Sequence, residues 1–525
     1  MRLTKLKRFA NTLRHLKIEQ LYWQFNNRLR LNKAISEQQE IFQIDETIFF
    51  TYIRTFRKSY FGEGHFRFLN LEKQFGKNIN WNFLDFGKLW CYNLEYFDYL
   101  SEQDPINEQK FWLLNSFYKY SLENKRTLEP YPVSLRAINI IRFFRLTKTE
   151  DHKVLNSLYQ ELSFLNKNLE YHILGNHLLE NAFALCLGGA FFKNASWHDK
   201  ALKILKKELN EQTLEDGAHF ELSPMYHNII LFRVLELIDW YSKYNSQKQE
   251  FLSFCREIAS RMCAWAKNIQ FSNGDFPLFN DAAKGISFDT WSLIEYANKL
   301  GIEPKNINLG QSGYRSFANQ NYEIKIDLAQ IGASYQPGHV HADALSFILY
   351  SQGKPLFVEQ GTSTYQIGER RNLERSTEAH NTVTVNNRNQ SDVWGGFRVG
   401  DRAKTTIHHD ETTKYIASHD GYKTWGTIHK RTFIFEEFCV QIYDSLNNKD
   451  DAKGYIHLHP DRNLVKVTDN EYIIDDFITL VFESATVIIV EDYEYAESYN
   501  EYQPAKRLVI SFEKEMSTKI FFKKS

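Results

Sequence analysis

Apolar positions change their spacing once along this chain. From about residue 45 to 305 they recur at intervals of three and four, broken by short polar or Pro/Gly punctuation, as amphipathic helices require. In the stretch 225–244, Ile230, Val234, Leu237 and Tyr241 form one stripe, and Leu231, Leu235 and Ile238 widen it. A face that wide predicts a helix held between two layers. Segments 111–122, 133–146, 152–171, 177–192, 197–209 and 251–269 share that character. Helical hairpins in such a succession predict a solenoid or a closed α/α ring. After residue 307 alternation takes over, with β-branched and aromatic residues at 322–328, 344–350, 382–385, 432–443, 472–482, 485–490 and 507–512. Turn clusters separate these strands and no long helical crossover intervenes, so antiparallel sheets stacked as a sandwich are expected. The expected organisation is a basic helical segment over 1–44, a helical domain over 45–305 and an antiparallel β-sandwich over 306–525.

The seam between the two regimes is led by Gly338-His339-Val340-His341-Ala342-Asp343-Ala344-Leu345-Ser346-Phe347. Taken as a strand, it places His339, His341 and Asp343 on one face, continued by Leu345, Phe347 and Leu349 toward a core. Polar chemistry then sits at one end of the strand and packing at the other.

Composition narrows the function classes. A chain of 525 residues is too long for one hydrophobic core. Its net charge of -1 advertises no nucleic-acid partner, although the first thirty-odd residues are basic, with Arg2, Lys5, Lys7, Arg8, Arg14, Lys17, Arg28 and Arg30. The five cysteines are scattered and form no C-x-x-C, which predicts buried thiols rather than a disulfide framework or a thiolate zinc site. A basic helix is expected over 8–31. Met1 to Gln24 lacks the uninterrupted apolar core of an export signal, and no later window approaches a membrane span, so the expectation for the chain as written is a cytoplasmic protein.

Three constellations carry candidate chemistry. Gly175-Asn176-His177 leads into a helix; Asn176 suits an N-cap, and with His177 it also suits the binding of a carboxylate beside a developing carbanion. Ser223-Pro224-Met225-Tyr226 reads as a capped helix start, with Tyr226 in the first turn as a candidate acid or base. The third joins His339 and His341 to Glu359 and His380, of which His341, Glu359 and His380 make an N,N,O set suited to zinc. Between them lie Arg370, Arg371 and Arg375, a basic loop suited to carboxylate or sulfate, with Arg371 and Arg375 the candidate substrate-binding residues.

In this order the constellations resemble the heparinase II/III family of polysaccharide lyases. Leu89-Trp90-Cys91-Tyr92-Asn93-Leu94-Glu95-Tyr96-Phe97, Asn176-His177, Ser223-Pro224-Met225-Tyr226, the His339–Phe347 run and Ala379-His380-Asn381-Thr382-Val383 carry the resemblance. It implies an incomplete (α/α) toroid followed by an antiparallel β-sandwich, and β-elimination at a uronic acid of an acidic polysaccharide. On that reading Asn176 and His177 hold the carboxylate, Tyr226 is base or acid, and His339 is its partner. His341, Glu359 and His380 fall on the family's metal set, whose usual carboxylate is Asp; no organic cofactor is implied. Relatives that degrade polymers commonly work in the periplasm, the alternative location. A uronyl C5-epimerase of the same fold, a non-catalytic glycan-binding or assembly protein, and a toroidal glycosidase drawing on Glu180, Glu221 or Asp281 remain open at this level, as does the oligomeric state.

Overall fold

The structure is a computed structural model and describes residues 2–28, 34–51, 55–103, 106–244 and 249–523. Its helical part is built around three helices, Pro130–Thr147, Gly175–Phe191 and Pro224–Tyr244, which pack in succession and supply one wall of a central cavity. His152–Lys167, Ala195–Gln212 and Gln249–Ile269 lie outside them and contribute nothing to that wall. The burial pattern follows from the sequence. Gly175–Phe191 is apolar nearly all round, and every residue in it except His177 is buried. Gly189 belongs to the same logic: a Cβ there would lie 2.5 Å from the backbone nitrogen of His198, so only glycine lets the outer helix Ala195–Gln212 approach so closely.

The C-terminal part contains two eight-stranded antiparallel sheets. One runs from Thr405–Glu411 through His429–Phe435, Cys439–Leu446 and Glu515–Phe522 to Leu464–Lys466. The other runs from Val487–Tyr495 through Ala452–Leu458, Lys354–Val358 and Phe347–Ser351 to Tyr314–Ala318. They share one core, in which Ile324, Leu349 and Phe357 of the second sheet meet Phe433, Ile442 and Leu480 of the first. Tyr322 stacks on Phe522 across the gap, ring centroids 4.7 Å apart. The architecture is an incomplete α/α toroid followed by a β-sandwich.

Several expected elements take a different form. Residues 338–346 are not a strand: Leu345 sits at φ 64°, and the chain becomes extended only at Phe347. The start of this segment is tied to the helical part, His339 O accepting from Asp281 N at 3.0 Å and His341 N donating to Asn280 Oδ1 at 2.8 Å, while Ala342 N and Leu345 N donate to Arg375 O and Asp327 O. Stretch 432–443 is two strands joined at 436–438, a turn without Gly, Pro or Asn to mark it. Stretch 472–482 is also two, hinged on Asp475 and Asp476, both at positive φ. A hairpin of His65–Phe68 and Leu71–Gln74 interrupts the helical region. The single helix expected over 8–31 is instead Arg2–Leu13 and Ile18–Arg28, with residues 29–33 outside the described residues. The cysteines are free and buried. Among the described residues no helix is long and apolar enough to cross a membrane.

Candidate active site

A cavity of about 650 Å³ opens between the toroid and the sandwich. Asn176, His177 and Tyr226 reach it from the first turns of two toroid helices, and His339 and Tyr365 from the sandwich side. Gly175 makes the first approach possible. It sits at φ 58°, and a Cβ there would lie 2.4 Å from Glu221 Oε1.

Asn176 does not cap its helix. The cap position is Leu174, and Glu221 takes the polar role, its two oxygens accepting from Asn176 N and Asn176 Nδ2 at 2.9 Å each. Burial opposes the charge on Glu221, but His219, His339 and these amide donors hold its pKa below the usual carboxylate value. His177 is the half-buried residue of the same turn. Its Nδ1 lies 3.2 Å from Glu170 Oε1 and its ring packs on Tyr131, centroids 4.4 Å apart. Burial works against its positive charge, yet Glu170 outweighs it and the His177 pKa is raised. Glu170 thus favours the protonated form of His177 at the cavity wall.

Ser223 does cap the next helix, its Oγ accepting from Tyr226 N at 3.3 Å and donating to Asp281 O at 2.6 Å, with Pro224 as the first helical residue. Tyr226 therefore projects from a fixed first turn. Its ring stacks on His339 with centroids 3.8 Å apart, and its hydroxyl meets that of Tyr365 at 3.2 Å. Burial, then the neighbouring Tyr499, push its pKa well above the ordinary tyrosine value, so it rests as a proton donor.

Asp281 organises the site. One oxygen meets His339 Nδ1 at 3.0 Å and the other His341 Nε2 at 2.9 Å, while the guanidinium of Arg371 closes on both. Asp281 and Arg371 are each fully buried. This corrects the substrate-binding assignment of the arginines: Arg371 is committed to Asp281, and Arg375 donates to Val340 O at 2.8 Å from a buried position, so neither presents a free face to a sugar. Tyr365, with its hydroxyl 3.4 Å from His339 Nδ1, had no local signal beyond following the turn at Gly361.

His341 and His380 come together with ring centroids 5.2 Å apart, and neither lines the cavity. With Asp343 they offer ligand atoms within 4.8 Å of one another, all buried. Glu359 Oε2 lies 2.8 Å from His380 Nδ1. His341 Nδ1, Asp343 Oδ2 and His380 Nε2 lack hydrogen-bond partners despite their burial. Burial carries Asp343 up to about 7, with Glu359 adding to the rise and His380 opposing it, and it carries His341 down to about 3, a neutral imidazole. A buried carboxylate oxygen without a partner beside two imidazoles is the donor set of a divalent ion, and Asp343 joins the set expected from the sequence.

Residues 137–306 match the model described as heparinase II/III N-terminus, and residues 303–523 that of heparinase II/III-like, C-terminal. The chain belongs to the heparinase II/III-like family. This heparinase II/III-like chain is 32% identical over 323 residues to a heparin-sulfate lyase of Bacteroides stercoris, a match covering 55% of the chain and 46% of that relative. It is 26% identical over 263 residues to a heparin-sulfate lyase of Pedobacter heparinus, covering 45% and 39%. The chain thus spans about half the length of the curated relatives it matches or less. Its fold is that of heparinase III, with TM-score 0.67 at 17% identity over 85% of this chain and 79% of the other. A heparan sulfate lyase mutant from Pedobacter heparinus gives TM-score 0.62 at 17% identity over 96% and 88%.

Proposed function

We propose that this protein is a polysaccharide lyase that cleaves a uronic-acid-containing chain by β-elimination. The observation that carries this reading is the stacked pair Tyr226 and His339 at the wall of a cavity whose adjacent turn presents Asn176 and His177. His177, whose protonated form Glu170 favours, and the amide of Asn176 bind the uronate carboxylate, which lowers the cost of a carbanion at C5. His339, oriented by Asp281, takes the C5 proton. The C4–O bond breaks as the C4=C5 double bond forms, and Tyr226 gives its proton to the departing oxygen. The two groups act from one side of the ring, as elimination permits. An epimerase needs a second donor on the opposite face. A glycosidase needs two opposed free carboxyls, whereas Glu180 is bound to Arg233, Glu221 to Asn176 and Asp281 to Arg371.

The cavity wall also bears on the polymer. Arg57 donates to Asn93, Arg142 to Asn139, Arg233 to Glu180, and Lys88 to Glu129, so its cations already hold oxygens of the chain itself. Aromatic rings, including Tyr92, Tyr131, Phe232 and Phe288, make up much of the remainder. We infer a polymer of uronate with few sulfates, since a densely sulfated one calls for uncommitted cations. The test is a panel of uronate polysaccharides of graded sulfation, followed by new ultraviolet absorbance from the unsaturated end. Absorbance rising fastest with the least sulfated chains is expected. No absorbance with any polymer overturns the lyase reading, and a preference for the most sulfated overturns only the second inference.

We further propose a zinc ion on His341, Asp343, Glu359 and His380. Such an ion would supply structural support, fixing the loop that carries His339. Asp281, bonded to His341 Nε2, leaves Nδ1 as that residue's ligand atom. Untagged protein is expected to contain zinc in a one-to-one ratio and to melt at a lower temperature after chelation, a ligand at a hundred times its Kd being worth about 2.7 kcal/mol. Metal-free protein with an unchanged melting point would remove the ion from the account.

A further inference from the structure

The second N-terminal helix is seated with its apolar face outward. Gln20, 2% exposed, donates to the carbonyls of Ile173 and Tyr335 at 3.2 Å each, Trp23 stacks on Tyr171 at 5.3 Å, and Asn27 meets His172 Nδ1 at 2.8 Å. Those residues define the side that grips the toroid. Ile18, Leu21, Tyr22 and Phe25 are 85%, 43%, 61% and 64% exposed. At 3.6 residues per turn these four fall within an arc of about 100°, opposite Gln20, Trp23 and Asn27. A helix on a globular surface normally buries such a stripe.

Charge is polarised along with apolarity. The first 33 residues hold nine Lys and Arg against one acid, Glu19, a net of +8, so the other 492 residues carry -9. Arg8 pairs with Asp392, Arg14 with Asp401 and Lys17 with Glu211, contacts that fix the two helices on the body.

We propose that this arm docks the protein on a bilayer surface rich in anionic phospholipid. The apolar arc of Ile18, Leu21, Tyr22 and Phe25 enters the boundary between headgroups and acyl chains, and the net positive charge of this N-terminal stretch favours an anionic surface. Tyr22 suits the headgroup level, where an aromatic ring with a polar tip is favoured. A soluble polyanion satisfies the cations but leaves the arc in water. A second copy of the chain would set one +8 arm against another.

The test uses the full chain, sedimented with vesicles of phosphatidylcholine alone and of phosphatidylcholine mixed with phosphatidylglycerol, at low and high salt. Binding to the mixed vesicles, weakened by salt, is expected. Ile18→Ser combined with Phe25→Ser should lower that partition about tenfold or more, because each loses buried apolar area at the membrane. Its melting point should not change, both side chains already facing water. Leu21→Ser with Tyr22→Ser gives an independent second reading. Protein left in solution with the mixed vesicles, or a variant pair that binds them as the parent does, overturns the proposal. So does a dimer in light scattering that the substitutions convert to monomer, or retention on an acidic polysaccharide without binding to vesicles.

Discussion

Tyr226→Phe is expected to lower kcat/KM by about 10²- to 10⁴-fold, the range associated with one positioned acid or base. The fold should survive. The ring keeps its stack on His339 at 3.8 Å, and only the 3.2 Å contact with the Tyr365 hydroxyl is lost. A hydrogen bond of that kind contributes about 0.5–1.5 kcal/mol. The loss should appear in kcat, since in the proposed reaction the hydroxyl acts on the departing oxygen and not on the carboxylate assigned to Asn176 and His177. Near-normal turnover in this variant, on a polymer the parent cleaves, would take the acid role away from Tyr226.

The order of helix and sheet was legible because each leaves its own period in the chain, and 225–244 shows how fully: the stripe through Ile230, Val234 and Leu237 is buried as its spacing requires. The capping of that helix was legible for the same reason, Ser223 and Pro224 acting within a few residues of where they stand. Asn176 misled because its partner lies at Glu221, and a cap-forming residue type looks the same whether it bonds its own helix or a distant carboxylate. His339 and His341 were found, but the alternation that placed them on a strand is also shared by a loop whose backbone bonds at these two residues go to Asn280 and Asp281. Asp281 stood among the sequence candidates only as a glycosidase acid. Its actual partners lie 58, 60 and 90 positions away, separations on which no local periodicity reports.

Asp281→Ala is expected to damage stability and activity together, and a second substitution separates the two. Asp281 and Arg371 are both fully buried, so removing the carboxylate leaves a guanidinium without its counter-charge, a loss of about 3–5 kcal/mol in the free energy of unfolding. Activity falls for a different reason: His339 Nδ1 and His341 Nε2 lose their acceptor, and the imidazole beside Tyr226 is no longer held. Combining Asp281→Ala with Arg371→Met removes both charges and fills part of the space, which should restore most of the lost stability, because replacing a buried ion pair by apolar groups is often near neutral. Turnover should stay low in the double variant, since the histidines remain without their acceptor. Denaturant unfolding read beside kcat/KM on all three proteins decides it. Recovery of activity along with stability would mean that Asp281 serves only to balance Arg371, whereas stability regained without activity places it as the residue that orients His339.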